Sequence, residues 1–143
     1  MTFTLFVITA FIIWLASIWT AILSLISIIG GWKALSVLYP PDPSQKNDHG
    51  VKYSMCSIKL GLITYRYCIN IFFTDTGINL DVIKIFRVMH KPVFIPYDRI
   101  SGAEKGKSLN TYTKFKADGK TIMIYGNAGE ELFSRLNPQD KTV

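Results

Sequence analysis

The fold is decided by the stretch ITYRYCINIFFTDTGINL, residues 63–80, in which apolar and polar side chains alternate until a turn sequence interrupts them. Alternation with a period of two is typical of a half-buried β-strand, because successive side chains point to opposite faces of a sheet. The alternation predicts one inward face, formed by Ile63, Tyr65, Tyr67, Ile69, Ile71 and Phe73. Asp75-Thr76-Gly77 tolerates the positive φ angles of a tight hairpin, so a second strand is expected to pair with the first.

The same pattern extends on both sides of this hairpin. Short β-branched and aromatic runs separated by turn residues predict antiparallel strands that pair in sequence as a meander. Seven strands are expected, at 51–59, 63–74, 77–85, 93–96, 100–106, 110–117 and 120–126.

The spacing of apolar residues changes to that of a helix after the last strand. Asn127 is expected as the N-cap, with Glu130 returning the capping-box hydrogen bond. Leu132, Phe133 and Leu136 form an apolar stripe before a proline ends the segment. Residues 51–137 therefore predict a small β-barrel or orthogonal sandwich closed by one carboxy-terminal helix, and residues 138–143 a tail.

The amino-terminal segment belongs to a different environment. No charged side chain occurs from Met1 to Trp32, so all 16 Lys and Arg and all 10 Asp and Glu follow it. About 20 apolar residues cross a hydrocarbon core of roughly 30 Å. Residues 1–32 are therefore predicted to form a transmembrane anchor that is not cleaved, because no basic n-region or cleavage site of a signal peptide is evident. This division excludes a multi-span transporter, a multidomain enzyme and a disulfide-dense secreted module.

Lysines occur after the span and not before it, which favours a cytoplasmic carboxy-terminal domain. Trp32, Lys33 and Tyr39 are expected at the membrane interface, where aromatic rings and snorkelling lysines concentrate. Residues 33–50, with prolines at 40, 41 and 43, are predicted to be a juxtamembrane linker.

Small and hydroxylated residues recur in the span at spacings of three and four, which places them on one helix face. They are Ser17, Thr20, Ser24, Ser27 and Gly31. Such a face permits close packing against another transmembrane helix. The alternative is that each hydroxyl bonds to a carbonyl one turn earlier in its own helix.

No catalytic, metal or cofactor site is expected. The histidines and cysteines (His49, His90, Cys56 and Cys68) form no pair at metal-ligand spacing. The two cysteines are expected to be rough cross-strand neighbours and to remain thiols in a reducing cytoplasm. Neither a nucleophile elbow nor a glycine-rich phosphate loop occurs.

Two surface features invite a binding hypothesis. Lys105 and Lys107, like Lys114 and Lys116, are two residues apart on predicted strands, so each pair shares a face that could attract anionic lipid or simply be solvated. The loop between the third and fourth strands combines apolar and basic side chains suited to a membrane interface or a partner protein, and could equally fold back on the core. Its residues are Phe86, Arg87, Val88, Met89, His90 and Lys91. Nucleic acid is not expected, because the aromatic residues follow the core alternation.

The chain resembles a family of small uncharacterised bacterial membrane proteins that join an amino-terminal anchor to a pleckstrin-homology-like (PH-like) domain. The matching residues are Gly31-Trp32-Lys33, Leu35, Tyr39-Pro40, Tyr67-Cys68, Ile69 to Ile71, Gly77, Leu80, Phe86-Arg87, His90, Pro92, Phe94-Ile95-Pro96-Tyr97 and Ile100. The resemblance implies a fold and a topology but no activity. Arg66 is preceded two residues earlier by Thr64 rather than by a basic residue, so recognition of a phosphorylated inositol headgroup is not supported.

The expected protein is a non-catalytic, single-pass inner-membrane protein whose cytoplasmic PH-like domain binds a partner protein, as an interaction module or accessory subunit. The alternatives are a module that binds anionic lipid surfaces and, less favoured, an enzyme. The sequence leaves the oligomeric state open.

Overall fold

The computed structural model describes residues 1–44 and 50–141. Its helices and strands are α1 (Thr2–Ile29), α2 (Trp32–Leu38), β1 (Val51–Leu60), β2 (Ile63–Phe73), β3 (Gly77–Val82), β4 (Val93–Pro96), β5 (Ile100–Lys107), β6 (Thr111–Ala117), β7 (Lys120–Tyr125) and α3 (Asn127–Leu136). A 3₁₀ helix over Lys84–Met89, called the 3₁₀ arm below, connects β3 to β4. The histidine at position 49 and part of the predicted linker lie outside the described residues.

The seven strands form one curled antiparallel sheet in the order β4-β3-β2-β1-β7-β6-β5. The predicted strands and the carboxy-terminal helix are confirmed, with boundaries shifted by a few residues. The third strand ends at Val82 rather than at residue 85, because the chain enters the 3₁₀ arm there. Each strand pairs with its neighbour in sequence except β4 and β5, and β1 also pairs with β7.

Bulges in the β1–β2 hairpin change one sequence prediction. Met55 and Tyr67 have φ of 55° and 54°, and the β1–β2 register shifts around Cys56. A bulge inserts an extra residue and interrupts the alternation. Tyr67 is consequently 66% exposed, so its predicted inward position is wrong. Its backbone amide donates to the Ser57 hydroxyl at 3.1 Å, which gives this irregular backbone a side-chain partner.

The core lies inside the curled sheet. It contains the other aliphatic and aromatic residues of the predicted inward face of β2, together with residues from β3, β4, β6 and β7. Ile69, Ile71 and Phe73 are fully buried there. This apolar burial provides the main driving force for folding the domain.

Helix α2 occupies the beginning of the segment predicted as a linker. Gly31, with φ of +76°, makes the sharp turn between α1 and α2, a backbone conformation that glycine adopts without a steric penalty. Trp32 and Leu35 of α2 are fully buried in the domain core. The Phe94 amide of β4 donates to the Tyr39 carbonyl at 3.2 Å, so the end of α2 also borders the β4 edge of the sheet. The packed domain therefore includes α2, which begins at Trp32, the last residue of the predicted anchor, and continues into the predicted linker.

Helix α3 closes the sheet as predicted, but its amino terminus differs. The N-cap is Gly126, with no side-chain cap, and Asn127 is already helical, so the predicted Asn127 capping box is wrong. Gly126 has φ of +72°, a conformation that an asparagine adopts less readily than glycine. Leu132 is fully buried and anchors the helix on β6 and β7.

Helix α1 is 28 residues long and apolar enough to cross a membrane, a property that it shares with signal sequences and with core helices of soluble proteins. Its buried residues are Leu23 and Ser27, both in the last two turns. The part of α1 before these residues, from Thr2 to Ile22, is exposed.

Candidate functional site: the junction of α1 with the sheet

The last turns of α1 pack against the 3₁₀ arm. The Ser27 hydroxyl donates to the Met89 carbonyl at 2.9 Å. Further along α1, the rings of Trp19 and Phe86 lie 5.7 Å apart. Helix α1 therefore contacts the domain at two positions, Trp19 and Ser27.

His90 lies at the centre of this junction and is only 1% exposed. Its ring centroid is 5.6 Å from those of Trp32 and Tyr65. The Nδ1 atom is 3.1 Å from the Phe86 carbonyl oxygen, and Nε2 is 3.3 Å from the Tyr65 hydroxyl. Because a carbonyl only accepts, this arrangement fits a neutral imidazole that donates from Nδ1 and accepts at Nε2.

Burial controls the protonation of this histidine. Desolvation lowers the pKa of His90 below its ordinary value, and the hydrogen bond to the Phe86 carbonyl opposes this only in part. Desolvation likewise raises the pKa of Tyr65, so its hydroxyl keeps its proton. The pair is therefore suited to holding structure together rather than to exchanging protons near neutral pH.

Trp32 ties α2 to the same junction. Its Nε1 donates to the Lys91 carbonyl at 2.8 Å, and the ring is 5.3 Å from that of Tyr65. Tyr39 is also buried, and its hydroxyl donates to the Asp118 carboxylate in the β6–β7 turn. Burial and this hydrogen bond raise the pKa of Tyr39 to about 12. Of the three residues predicted at the membrane interface, only Lys33 has an exposed side chain.

A cavity of about 220 Å³ lies between α1 and the sheet. Leu23 and Ile26 of α1 line one side, and Ile63 and Tyr65 of β2 line another. Phe86 and His90 contribute as well, and the cavity is mostly apolar. Its polar lining includes Thr64 and Arg66 beside the hydrogen-bonded Tyr65 and His90 pair.

The six residues of the predicted contact loop differ in their surroundings. Phe86 and His90 face the junction, and Arg87 pairs with the Asp81 carboxylate of β3. The exposed group comprises Val88 (61% exposed), Met89 (37%) and the Lys91 side chain. Ile85, 62% exposed and immediately before the predicted loop, belongs with them. The strand prediction missed Ile85, because an apolar residue that continues a strand pattern is expected in the core.

The hydroxyls of the predicted transmembrane packing face are engaged within the chain. Ser17, Thr20 and Ser24 each donate to the carbonyl four residues earlier in α1. Ser27 bonds the 3₁₀ arm, and Gly31 lies at the α1–α2 corner. The alternative of back-bonding thus describes three of these residues, and the other two connect α1 to the domain.

The predicted lysine cluster is divided between two faces. Directly opposed residues of an antiparallel pair share a face. Lys105 and Lys107 of β5 oppose Thr113 and Thr111 of β6. The two lysines of β6, Lys114 and Lys116, therefore point to the opposite face. Each pair therefore shares one face, and the two pairs lie on opposite faces of the β5–β6 pair.

The two cysteines lie on neighbouring strands but do not oppose each other. Cys56 and Cys68 are both free thiols, half-buried on neighbouring strands, with Cys56 opposite Ile69 rather than Cys68. Burial raises the pKa of both thiols, which disfavours the reactive thiolate. Among residues 1–44 and 50–141, no three His, Cys, Asp or Glu side chains converge to hold a metal ion.

The β5 edge of the sheet is a second feature of interest. Within residues 1–44 and 50–141, β5 is the terminal strand and pairs with β6 alone, whereas α2 borders the opposite edge. A shallow pocket of about 330 Å³ lies beside it, lined by Lys105, Gly106, Lys107, Thr111, Tyr112 and Glu130. The Tyr112 ring lies over Gly106, where a Cβ atom would be 2.2 Å from the ring, so a larger residue here would displace that ring.

No family model and no curated protein matches the chain. Among solved structures, it is similar to the crystal structure of the C-terminal domain of an unknown protein from Leishmania infantum. The sequences are 19% identical, the match covers 62% of this chain and 80% of that chain, and the TM-score is 0.45. This structure is a weak neighbour.

Proposed function

We propose that the chain is a non-catalytic, single-pass membrane protein whose PH-like domain is an interaction module or accessory subunit for a partner protein. In this proposal α1 is the uncleaved anchor in a bacterial inner membrane and the domain faces the cytoplasm. The seven-stranded antiparallel sheet in the order β4-β3-β2-β1-β7-β6-β5, followed by one helix, supports the PH-like assignment. The lysines that follow α1 support the orientation.

The terminal position of β5 in the sheet is the observation that carries the partner proposal. A terminal strand presents backbone N–H and C=O groups that can pair with a strand from another chain. Lys105 and Lys107 lie on this strand with exposed side chains, and the neighbouring pocket can accept a side chain of the added strand. The proposed partner is therefore an extended segment with acidic residues.

This surface replaces the loop and the Ser/Thr face as the proposed protein contact. Phe86 of the loop packs against Trp19 of α1, and His90 is buried at the junction. Ser27 of α1 donates its hydroxyl to the 3₁₀ arm. The division of the four lysines between two faces removes the support for a single anionic-lipid patch.

A charge-reversal experiment tests the partner proposal. The full chain is purified from its native membranes in mild detergent, either unchanged, as K105E/K107E, or as the matched control K114E/K116E. The two variants change the net charge equally but on opposite faces of the β5–β6 pair. We expect a stoichiometric partner with the unchanged chain and the control, and its loss from K105E/K107E.

Two results would count against the proposal. One is purification of the unchanged chain without a stoichiometric partner, and the other is equal retention by the two variants. The Lys105 Nζ lies 4.6 Å from the centroid of the Phe133 ring of α3, so K105E removes a contact between β5 and α3. Thermal unfolding of K105E/K107E must therefore first show that α3 remains packed.

A further inference from the structure

Helix α1 is longer than a bilayer requires, and its buried residues lie near its carboxy-terminal end. Its 28 residues extend about 42 Å at 1.5 Å per residue. The hydrocarbon core takes about 20 residues. Thr2 to Ala21 are that many and are all exposed, whereas the two buried residues, Leu23 and Ser27, follow them. The hydrocarbon segment and the segment packed on the domain therefore follow one another along α1.

The 3₁₀ arm lies beside the boundary between these segments. Phe86 is level with Trp19, where their rings meet, and Met89 is level with Ser27, where the hydrogen bond forms. These two α1 residues are eight positions apart, which is about 12 Å along the axis. Phe86 in the arm thus reaches the last turn of the hydrocarbon segment, and Met89 at the arm's carboxy-terminal end lies outside that segment.

The exposed side chains of the arm have the chemistry of a membrane interface. Ile85 and Val88 are 62% and 61% exposed although they are aliphatic. The exposed basic side chains of Lys84 and Lys91 flank them, whereas Arg87 between them is paired with Asp81. Apolar side chains that enter the headgroup–acyl boundary beside cations that meet lipid phosphates are typical of interfacial segments. Aromatic rings such as Trp19 and Phe86 also concentrate at this depth.

We propose that the 3₁₀ arm is a second membrane contact, with Ile85 and Val88 inserted at the headgroup–acyl boundary of the bilayer that α1 crosses. The membrane surface then lies near Trp19 rather than at Trp32, and the domain rests on it through two attached elements. This proposal depends on the anchor assigned under the proposed function. A protein surface over Ile85 and Val88 is the competing outcome.

Depth-dependent fluorescence quenching tests the contact. The full chain, with Cys56 and Cys68 replaced by alanine, is reconstituted into vesicles of phosphatidylcholine and phosphatidylglycerol. Single cysteines at I85C or V88C carry an environment-sensitive fluorophore. I12C, in the middle of the hydrocarbon segment, reports on the anchor, and L109C, in an exposed loop beside the edge strand, is the matched apolar control. Nitroxide lipids quench either near the headgroup or deep in the acyl chains.

The expected pattern separates the two proposals. Labels at positions 85 and 88 should lose most of their fluorescence to the shallow quencher, the label at 12 to the deep quencher, and the label at 109 to neither. Quenching at 12 without quenching at 85 and 88 would overturn the second contact and leave the anchor intact. If position 12 is not quenched either, both proposals are wrong.

A measurement on the unsubstituted chain guards against misfolding of the cysteine variants. A phospholipid with a photoactivatable group close to its headgroup is incorporated into the same vesicles, and cross-linked residues are mapped by mass spectrometry. We expect cross-links within residues 85–89 and none at Leu109. Cross-links confined to α1 would contradict the contact.

Discussion

At the scale of single residues, His90 shows how remote elements change the chemistry of a loop. From sequence, a histidine between two strands is expected to be solvated. In the structure Trp32 and Tyr65, which are distant in sequence, enclose it, and burial lowers its pKa. No local pattern could reveal this, because α2 and β2 reach His90 only after the chain folds.

The buried histidine should make the stability of the junction depend on pH. In the unfolded chain a histidine binds a proton near pH 6.5, its ordinary pKa, whereas folded His90 stays neutral to lower pH. The unfolded state therefore binds more protons in this window, and the free energy of unfolding should fall as pH decreases below about 6.5. Thermal unfolding of the full chain in detergent, followed by near-UV circular dichroism at about pH 7.5 and 5.5, measures this slope.

Two variants assign that slope to one residue. H90Q should remove most of the pH dependence, while also lowering stability through lost ring packing. H49Q, the control at the only other histidine, should keep the pH dependence. Equal slopes in H90Q and the unchanged chain would contradict the assignment.

At the scale of secondary-structure elements, helix α3 is the element that closes the curled sheet. Its contact with β6 is close: the Thr113 hydroxyl donates to the Gly129 carbonyl at 2.7 Å. A Cβ at Gly129 would be 2.3 Å from the Ile124 carbonyl oxygen, so glycine lets the helix approach the sheet. The apolar stripe predicted the helix, but the glycine contact becomes visible only when the sheet is in place.

Leu132 should contribute strongly to the stability of the domain. The side chain is fully buried, and a buried Leu→Ala change costs about 2–5 kcal/mol. L132A should therefore lower the free energy of unfolding in urea by that amount. L109A, at a leucine that is 97% exposed, should change it by less than about 0.5 kcal/mol. Similar losses in both variants would show that α3 does not close the core.

At the scale of the whole molecule, the attachment of α1 to the sheet determines how the domain is held. Gly30, at the end of α1, lies close to β2: a Cβ there would be 2.9 Å from the Ile26 carbonyl oxygen of α1 and 3.0 Å from both Ile63 Cγ1 and the Tyr65 hydroxyl. A larger residue would press on these two side chains of β2 and on the last turn of α1.

G30V should loosen this attachment without unfolding the domain. The cost of accommodating the added methyl groups is roughly 1–3 kcal/mol. Hydrogen exchange of the full chain in detergent should become faster in the 3₁₀ arm and stay unchanged in β6 and β7. A21V, at an exposed position of α1, is the control and should leave the arm unaffected. Unchanged exchange in the arm of G30V would mean that the arm is not held by α1.

The sequence by itself determined the elements: an uncharged apolar helix, seven strands and a closing helix. These follow from local periods of hydrophobicity, which reflect which faces of each element are removed from water. Only the tertiary structure decided where the elements meet. It placed Trp32 in the core, divided the lysines by the β5–β6 register, and exposed Tyr67 through a bulge. Each of these outcomes depends on contacts between segments distant in the chain, and side-chain periodicity carries no information about such contacts.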